Sequence, residues 1–453
     1  MKILVINCGS SSLKFQLIET SREQIVANAD RQLAKGLVER IGSSEAAVTH
    51  EAAGSVARTF SRPILDHVQA IEAALECLTQ ADGPIRHLND IEGVGHRVVH
   101  GGEQFTASVL IGEEVAEKIA ELAELAPLHN PNNLRGYQAA RRVLPHAPQV
   151  AVFDTSFHRH LPPEAFLYGI PYVHYQRDHL RRYGFHGTSH RYLSYRYAQI
   201  RHSTPAAFKL ISCHLGSGCS VCAIDRGRSV EISMGFTPLE GLVMGTRSGD
   251  IDPGVILHLL SQGRMNVSEA DSLLNDQSGL FGLSGISNDM RDLLREREKG
   301  NARADLAVRV FCHRVRKYLG AYWAVVNGTD AVIFAGGIGE NSPEVRAMIC
   351  DLLGALGLTL DRQRNAEALG VEKEVSTEGS RLEVWVIPTD GELLNARDTL
   401  NCILGPPPGL IGWRRFGAAR AVGAHRRARC CFRAALTLVI IRPHSAADSD
   451  RKS

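Results

Sequence analysis

A chain of 453 residues, 44% apolar and 22% charged, is long enough for two or three domains with real hydrophobic cores. Taken as a whole, it excludes a disordered chain, a collagen-like fibre and a small disulfide scaffold. No run approaches the ~18 apolar residues of a membrane span, and the start, MKILVINCGSSS, has no signal-peptide core, so a soluble cytoplasmic protein is expected. The formal net charge of +2 joins unlike parts: residues 402–453 hold ten Lys/Arg against two Asp/Glu, leaving 41 basic and 47 acidic groups before them. A mildly acidic body carries a basic tail.

In chain order, KILVIN reads as a buried strand, CGSSS as a turn and LKFQLI as a second, alternating strand. Strand, glycine loop, strand is a hairpin, unlike the strand–loop–helix of P-loop proteins. Val68, Ile71, Leu75 and Leu78 share one helical face, as do Val115, Ile119, Leu122 and Leu125. Between them, GHRVVHGG places Arg97, a bidentate anion ligand by its chemistry, beside a double glycine. PLHNP is a punctuated loop, and VFDTSF sets Asp154 at the end of an apolar strand.

YGFHGTSH then sets His186 between glycines. FKLISCHL, GSGC and SVCAI repeat the strand–turn–strand unit some two hundred residues after the first, and VEIS follows as a further strand. That repetition predicts a duplicated α/β domain with a mixed sheet in each half. MGTRSGDID carries Arg247 between glycines, and Val308, Phe311, Val315, Leu319 and Tyr322 mark a long helix. AVIFAGGIGEN reads as a buried strand running into a GGIG turn, after which Asn341 or Ser342 can cap a helix with Pro343 in its first turn.

Cys8, Cys77, Cys312 and Cys350 are isolated, and Cys219-x-x-Cys222 lacks a second pair at zinc-ribbon distance. Reduced structural thiols are therefore expected. One glycine turn is weak evidence of a ligand, and each polar loop alone is more often structural. Three glycine turns, two on related hairpins, point to a nucleotide with several phosphates. Arginine and histidine set between glycines supply the positive charge and donors that phosphoryl transfer needs.

NCGSSSLKF, GHRVVHGG, PLHNP, FDTSFH, YGFHGTSH, MGTRSGDIDPG, NDMRD, FAGGIGENSPEVR and PTDGELLNARDT resemble the acetate kinase family in order and spacing, over residues 1 to about 400. The resemblance implies a duplicated ribonuclease-H-like fold of the actin/hsp70 type with ATP in a central cleft. Its expected lobes are 1–155 plus 385–401 and 156–384, followed by a disordered basic tail at 402–453. It implies reversible, Mg²⁺-dependent transfer from ATP to acetate, giving acetyl phosphate and ADP, with Mn²⁺ as a substitute metal. Propionate or butyrate preference is the alternative, and a non-catalytic actin-like module a remoter one. A homodimer is implied, with neither nucleic acid nor membrane as partner.

By the same resemblance, Asn7 and Glu392 match metal positions, while Ser10, Ser12 and Lys14 match the first phosphate loop. Arg97 and Arg247 match the arginines on the carboxylate and the phosphoryl group in flight; His186 and His129 match active-site histidines, and Asp154 the essential aspartate. His214, Leu215, Gly216, Ser217 and Gly218 match the second phosphate loop. Asp289, Met290 and Arg291, with Gly337, Ile338, Gly339, Glu340 and Asn341, match the adenosine segments. Val99, Leu128, Phe185 and Pro238 match the pocket for the acetate methyl. Three departures stand out: Ser217 replaces the usual Asn, Gly391 replaces an acidic residue and leaves Glu392 as the only metal carboxylate expected there, and the tail resembles nothing in the family. Because acetate is already ionised at pH 7, Asp154 is expected to orient a ligand or Mg²⁺ rather than to act as a base.

Overall fold

Hydrophobic alternation along the first strand sets up a sheet covered on both faces. In the computed structural model, which describes residues 1–127 and 129–405, β1 (Lys2–Cys8) sends Leu4, Ile6 and Cys8 to one face. There they pack among residues of the helices His67–Thr79 and Asn130–Val143, including Ile71, Leu75 and Ala139. Ile3 and Val5 go to the other face, against Ala396 of the helix Gly391–Leu404. Period-two side-chain direction in a fully covered sheet produces the unbroken apolar run.

The remaining strands are β2 (Ser12–Glu19), β3 (Arg31–Glu39), β4 (Ser43–Ala52), β5 (Arg58–Ile64), β6 (Gly93–Val98), β7 (Val109–Leu110), β8 (Gln149–Phe153), β9 (Lys209–Leu215), β10 (Cys219–Asp225), β11 (Arg228–Ile232), β12 (Ala331–Ala335), β13 (Lys373–Glu374) and β14 (Glu383–Val386). Among the described residues they form two sheets, ordered β5-β4-β3-β2-β1-β6-β8-β7 and β11-β10-β9-β12-β14-β13. The inner part of each is the same unit. A β1/β2 hairpin continues antiparallel into β3 and parallel into β6 and β8; a β9/β10 hairpin continues antiparallel into β11 and parallel into β12 and β14. This is the duplicated ribonuclease-H-like α/β fold expected from the two hairpins.

Three expectations need correction. GGIGEN is not a turn: Gly336–Asn341 is a short helix starting directly from β12, and Ser342 then caps the helix Pro343–Cys350 by accepting from Val345 N–H. A division between residues 384 and 385 would cut β14, whose Trp385 and Val386 pair with Ile333 and Phe334. Nor does the tail begin at Cys402. The last helix runs on to Leu404, Ile403 packs in the cluster of Ile3 and Val5, and Arg22 Nη2 donates to the carbonyls of Leu404 and Gly405. The rest of the expected tail, 406–453, lies outside the described residues, as does Leu128.

The long helix Ala302–Val325 buries Val308, Phe311, Val315, Leu319 and Tyr322, the face foreseen from their spacing. Cys8, Cys77, Cys213, Cys219, Cys222, Cys312 and Cys350 are buried free thiols. Among the described residues no helix is long and apolar enough to cross a membrane.

Candidate active site

Parallel strands end on one side of a sheet, and ligand loops gather at their carboxyl ends. β1, β6 and β8 deliver Asn7, Arg97 and Asp154 there, and a helix start ties the first two ends together. Asn133 accepts from Val99 N–H at 3.1 Å and donates to the Cys8 carbonyl at 3.0 Å, while Asn130 bonds both the N–H (3.1 Å) and the carbonyl (3.0 Å) of His100. Asn133 was not singled out in the sequence. Its role is visible only once β1 and β6 are adjacent.

Arg97 and Asp154 form a forked pair: Nε donates to both carboxylate oxygens at 3.1 Å, and Nη2 to Oδ2 at 2.6 Å. Thr188 adds a hydroxyl donor to Oδ1 at 3.3 Å. Asp154 is 1% exposed and Arg97 34%, so the carboxylate is enclosed and the guanidinium keeps one edge toward solvent. Asp154 and then Glu392 are the negative charges that raise the Arg97 pKa.

His186 enters from the second half of the chain. It stands at φ +57° at the N-terminus of the helix Gly187–Ile200, a left-handed conformation that costs a non-glycine residue about 1–3 kcal/mol. The next peptide holds it, since Gly187 N–H donates to the Asp154 carbonyl at 3.0 Å. A Cβ on Gly187 would lie 2.0 Å from that oxygen. Glycine there brings the histidine loop onto the aspartate strand.

Arg247 and Gly218 complete this corner. Arg247 Nη1 makes long contacts to the Pro238 carbonyl (3.4 Å) and Met244 Sδ (3.7 Å), and among the described residues no carboxylate pairs with it. Burial lowers its pKa. A Cβ built on Gly218 would meet both Arg247 Nη1 and His186 Nε2 at 3.5 Å, so the two side chains face one small space above the β9/β10 turn. The histidines around it are kept neutral. Burial lowers His129, helped by Arg247 and Arg97; burial also holds His214 near about 4 and drives His186 well below its ordinary value.

Two cavities are lined by the expected site residues. One, about 190 Å³, is lined by Asn7, Arg97, His186, His214, Gly391 and Glu392 among others. Neither Asn7 nor Glu392 has a side-chain hydrogen-bond partner among the described residues. A Cβ at Gly391 would only touch Thr188 Oγ1 at 3.6 Å, so the missing acidic side chain leaves open space. Asp390, unnoticed in the sequence, is spent as a helix cap on Leu393 N–H at 2.8 Å, and burial raises its pKa.

The second cavity, about 480 Å³, is lined by Gly216, Ser217, Asp289, Met290, Arg291, Gly337, Ile338 and Asn341, and by the unforeseen Asn288, Leu294 and Ser342. Asp289 caps the helix Met290–Glu298 and pairs with Arg291 at 2.6 Å. Glu340 differs from its expected place: its carboxylate accepts from Gly336 N–H (2.7 Å) and Thr389 N–H (3.0 Å), bracing the loop and not lining the cavity. Leu215 and Gly339 lie beneath it in the core. Ser10, Ser12 and Lys14 stand on the β1/β2 hairpin, with Lys14 opposite Asn7 and exposed. Val99 and Phe185 are buried, and Phe185 packs edge-on to His100 with ring centres 5.7 Å apart.

Known proteins resemble this chain over nearly all of its described length. The Acetokinase family model matches residues 2–397. Acetate kinase of Solibacter usitatus is 51% identical over 412 residues, covering 90% of this chain and 99% of its own. Acetate kinase of Desulfitobacterium hafniense is 49% identical over 404 residues, covering 89% and 99%. Among solved structures, Porphyromonas gingivalis acetate kinase superposes with a TM-score of 0.84 at 39% identity, covering 89% of this chain and 99% of that one. A propionate kinase from Francisella tularensis gives 0.81 at 40% identity, covering 88% and 99%. With the family model spanning almost every described residue and relatives matched end to end, the chain belongs to the acetokinase family.

Proposed function

We propose that the protein transfers the γ-phosphoryl group of ATP to acetate, reversibly and by direct in-line displacement, giving acetyl phosphate and ADP. The observation that carries this reading is that His186 and Arg247 face one small space above the β9/β10 turn, while Arg97, from the other half of the chain, lines a cavity with the same His186. Phosphoryl transfer needs charge and donors fixed around the equatorial oxygens and little covalent help. Acetate is an anion at pH 7 and needs no base to activate it. Asp154 accordingly serves here as the residue that positions Arg97.

The β9/β10 turn, with Ser217 in place of the family's Asn, would take the phosphates, and the cavity beside Asp289 and Gly337 the adenosine. Asn7 and Glu392, two oxygen ligands on one cavity with no side-chain hydrogen-bond partner among the described residues, fit Mg²⁺, which prefers one or two carboxylates plus phosphate oxygens and water. Bound there, Mg²⁺ would supply charge neutralisation between the phosphates. Val99, Phe185, Pro238 and Leu128 would hold the methyl group.

The lobes of this reading are residues 1–155 with 387–404, and 156–386, closing on the cleft. A homodimer is supported by the helix Pro253–Ser261, which buries none of its residues although Val255 and Leu257 are 45% and 65% exposed. A cytoplasmic location, where ATP is available, fits the same reading. Acyl-hydroxamate formation from ATP with acetate, propionate and butyrate tests it. Acetate should give the highest kcat/KM, and no product from any of the three would refute it. One methylene is worth only about 1–3 kcal/mol in such a pocket, so the three acids must be compared directly.

A further inference from the structure

Behind His186 runs a file of buried polar side chains that no ligand can reach. His186 Nδ1 is 2.9 Å from Ser220 Oγ, Ser220 Oγ is 2.8 Å from His190 Nε2, and His190 Nδ1 is 2.7 Å from Ser212 Oγ. His190, Ser212 and Ser220 are all 0% exposed. Neither hydroxyl has another partner among the described residues. Burial, reinforced by neighbouring imidazoles, drives His186 and His190 well below the ordinary histidine range. Both rings are therefore neutral near pH 7, with one N–H each.

Neutral rings and single-proton hydroxyls leave two polarities for the whole file. In the first, Ser212 O–H donates to His190 Nδ1, His190 Nε2–H donates to Ser220, and Ser220 O–H donates to His186 Nδ1. His186 then carries its proton on Nε2. In the second every bond reverses, so His186 Nε2 is bare and the Ser212 hydroxyl proton has no acceptor at a fully buried position. Stranding a buried donor is worth roughly a 5- to 150-fold bias in population. The first polarity leaves unused only lone pairs on a hydroxyl that already makes its bond.

We infer that Ser212, His190 and Ser220 are positioning residues, a one-way hydrogen-bond chain that fixes His186 as its Nε2–H tautomer. The inference rests on the phosphoryl-transfer reading for its consequence. The space above Gly218, 3.5 Å from both His186 Nε2 and Arg247 Nη1 by the Cβ construction, is then addressed by a donor and a cation together. With the opposite tautomer a lone pair would face the phosphoryl oxygens.

Nitrogen-15 NMR of the histidine-labelled full chain, with His186 assigned by the signal lost in His186→Asn, reads the tautomer without any activity. The Nε2–H form is expected in the wild type. Ser220→Ala should populate the other tautomer and lower kcat by roughly 10–100-fold, the scale on which loss of the partner that orients a metal-bound histidine is felt. KM for ATP should stay within about twofold, because the contact matters only in the transition state. Ser220→Thr, which keeps the hydroxyl, should restore both. An Nδ1–H tautomer in the wild type, or an unchanged kcat in Ser220→Ala, would overturn the inference. Should Ser220→Ala fail to fold, the wild-type tautomer decides. Absence of transfer to every carboxylate would sink the functional reading while leaving the tautomer measurement intact.

Discussion

Replacing Asp154 with Asn removes one charge and one acceptor oxygen from the Arg97 fork while keeping the side chain's shape. Two full charges about 4 Å apart attract by about 4 kcal/mol at an effective dielectric of about 20. Solvent on the open third of Arg97 reduces this toward the usual worth of a charged hydrogen bond, about 1.5–3 kcal/mol. If that energy serves to aim the guanidinium, kcat should fall about 10- to 100-fold, with the KM for ATP little changed. A double-mutant cycle read by hydroxamate formation decides the cause. Asp154→Asn in an Arg97→Ala background should cost almost nothing further, because the residue through which it acts is gone. Losses that multiply would refute this reasoning and give Asp154 a role of its own, as base or metal ligand.

Arg247→Ala should cut kcat by about 10²–10³ with a much smaller loss of ATP affinity, since its guanidinium has only long protein contacts to lose; equal losses would mean that it binds ground-state phosphate. Gly218→Ala should fold with an unchanged melting temperature but lose activity, because its methyl would meet Arg247 and His186 only at 3.5 Å and fill their shared space. Gly187→Ala should fail to fold well, since its methyl would lie 2.0 Å from the Asp154 carbonyl oxygen; normal melting would contradict that geometry. His96, His100 and His158 are held near about 4, chiefly by burial. The unfolded chain takes up their protons first, so the stability they contribute is complete above about pH 6.5 and falls by about 1.4 kcal/mol per histidine per pH unit down toward pH 4. Urea midpoints between pH 7 and 4.5 would show the slope, and a flat profile would exclude it.

Hairpins were legible because their signal is local: an apolar run, a glycine turn and an alternating return strand occupy some twenty consecutive residues. The helix faces were legible for the same reason, and Val308 to Tyr322 are buried as spaced. What the sequence hid is produced by contacts far apart in the chain. Asn133 joins the ends of β1 and β6 across 125 and 34 positions. Glu340 reads as a nucleotide ligand from its neighbours, yet it is committed to Thr389 N–H, 49 residues on. Cys402 looked like the start of foreign sequence because composition shifts there. The helix nonetheless continues for as long as apolar side chains such as Ile403 still find the core. Composition marks where character changes, whereas packing decides how far that helix runs.

The two arginines, equivalent by motif, differ in charge balance, and that difference divides their labour. Arg97 meets an enclosed carboxylate, so its charge is largely compensated before any ligand arrives and its direction is set. Such a group gains specificity more than affinity from an incoming anion, because the anion must share it with Asp154. Arg247 is half-buried without a carboxylate partner among the described residues, and its lowered pKa reflects the desolvation it suffers there. On the proposed reading it would destabilise the empty site and recover the cost only when negative charge enters. An anion whose charge spreads toward Arg247 during transfer is therefore favoured over one whose charge stays on the donor. On the proposed function, that asymmetry would convert a static arrangement of two cations into a preference for the transition state.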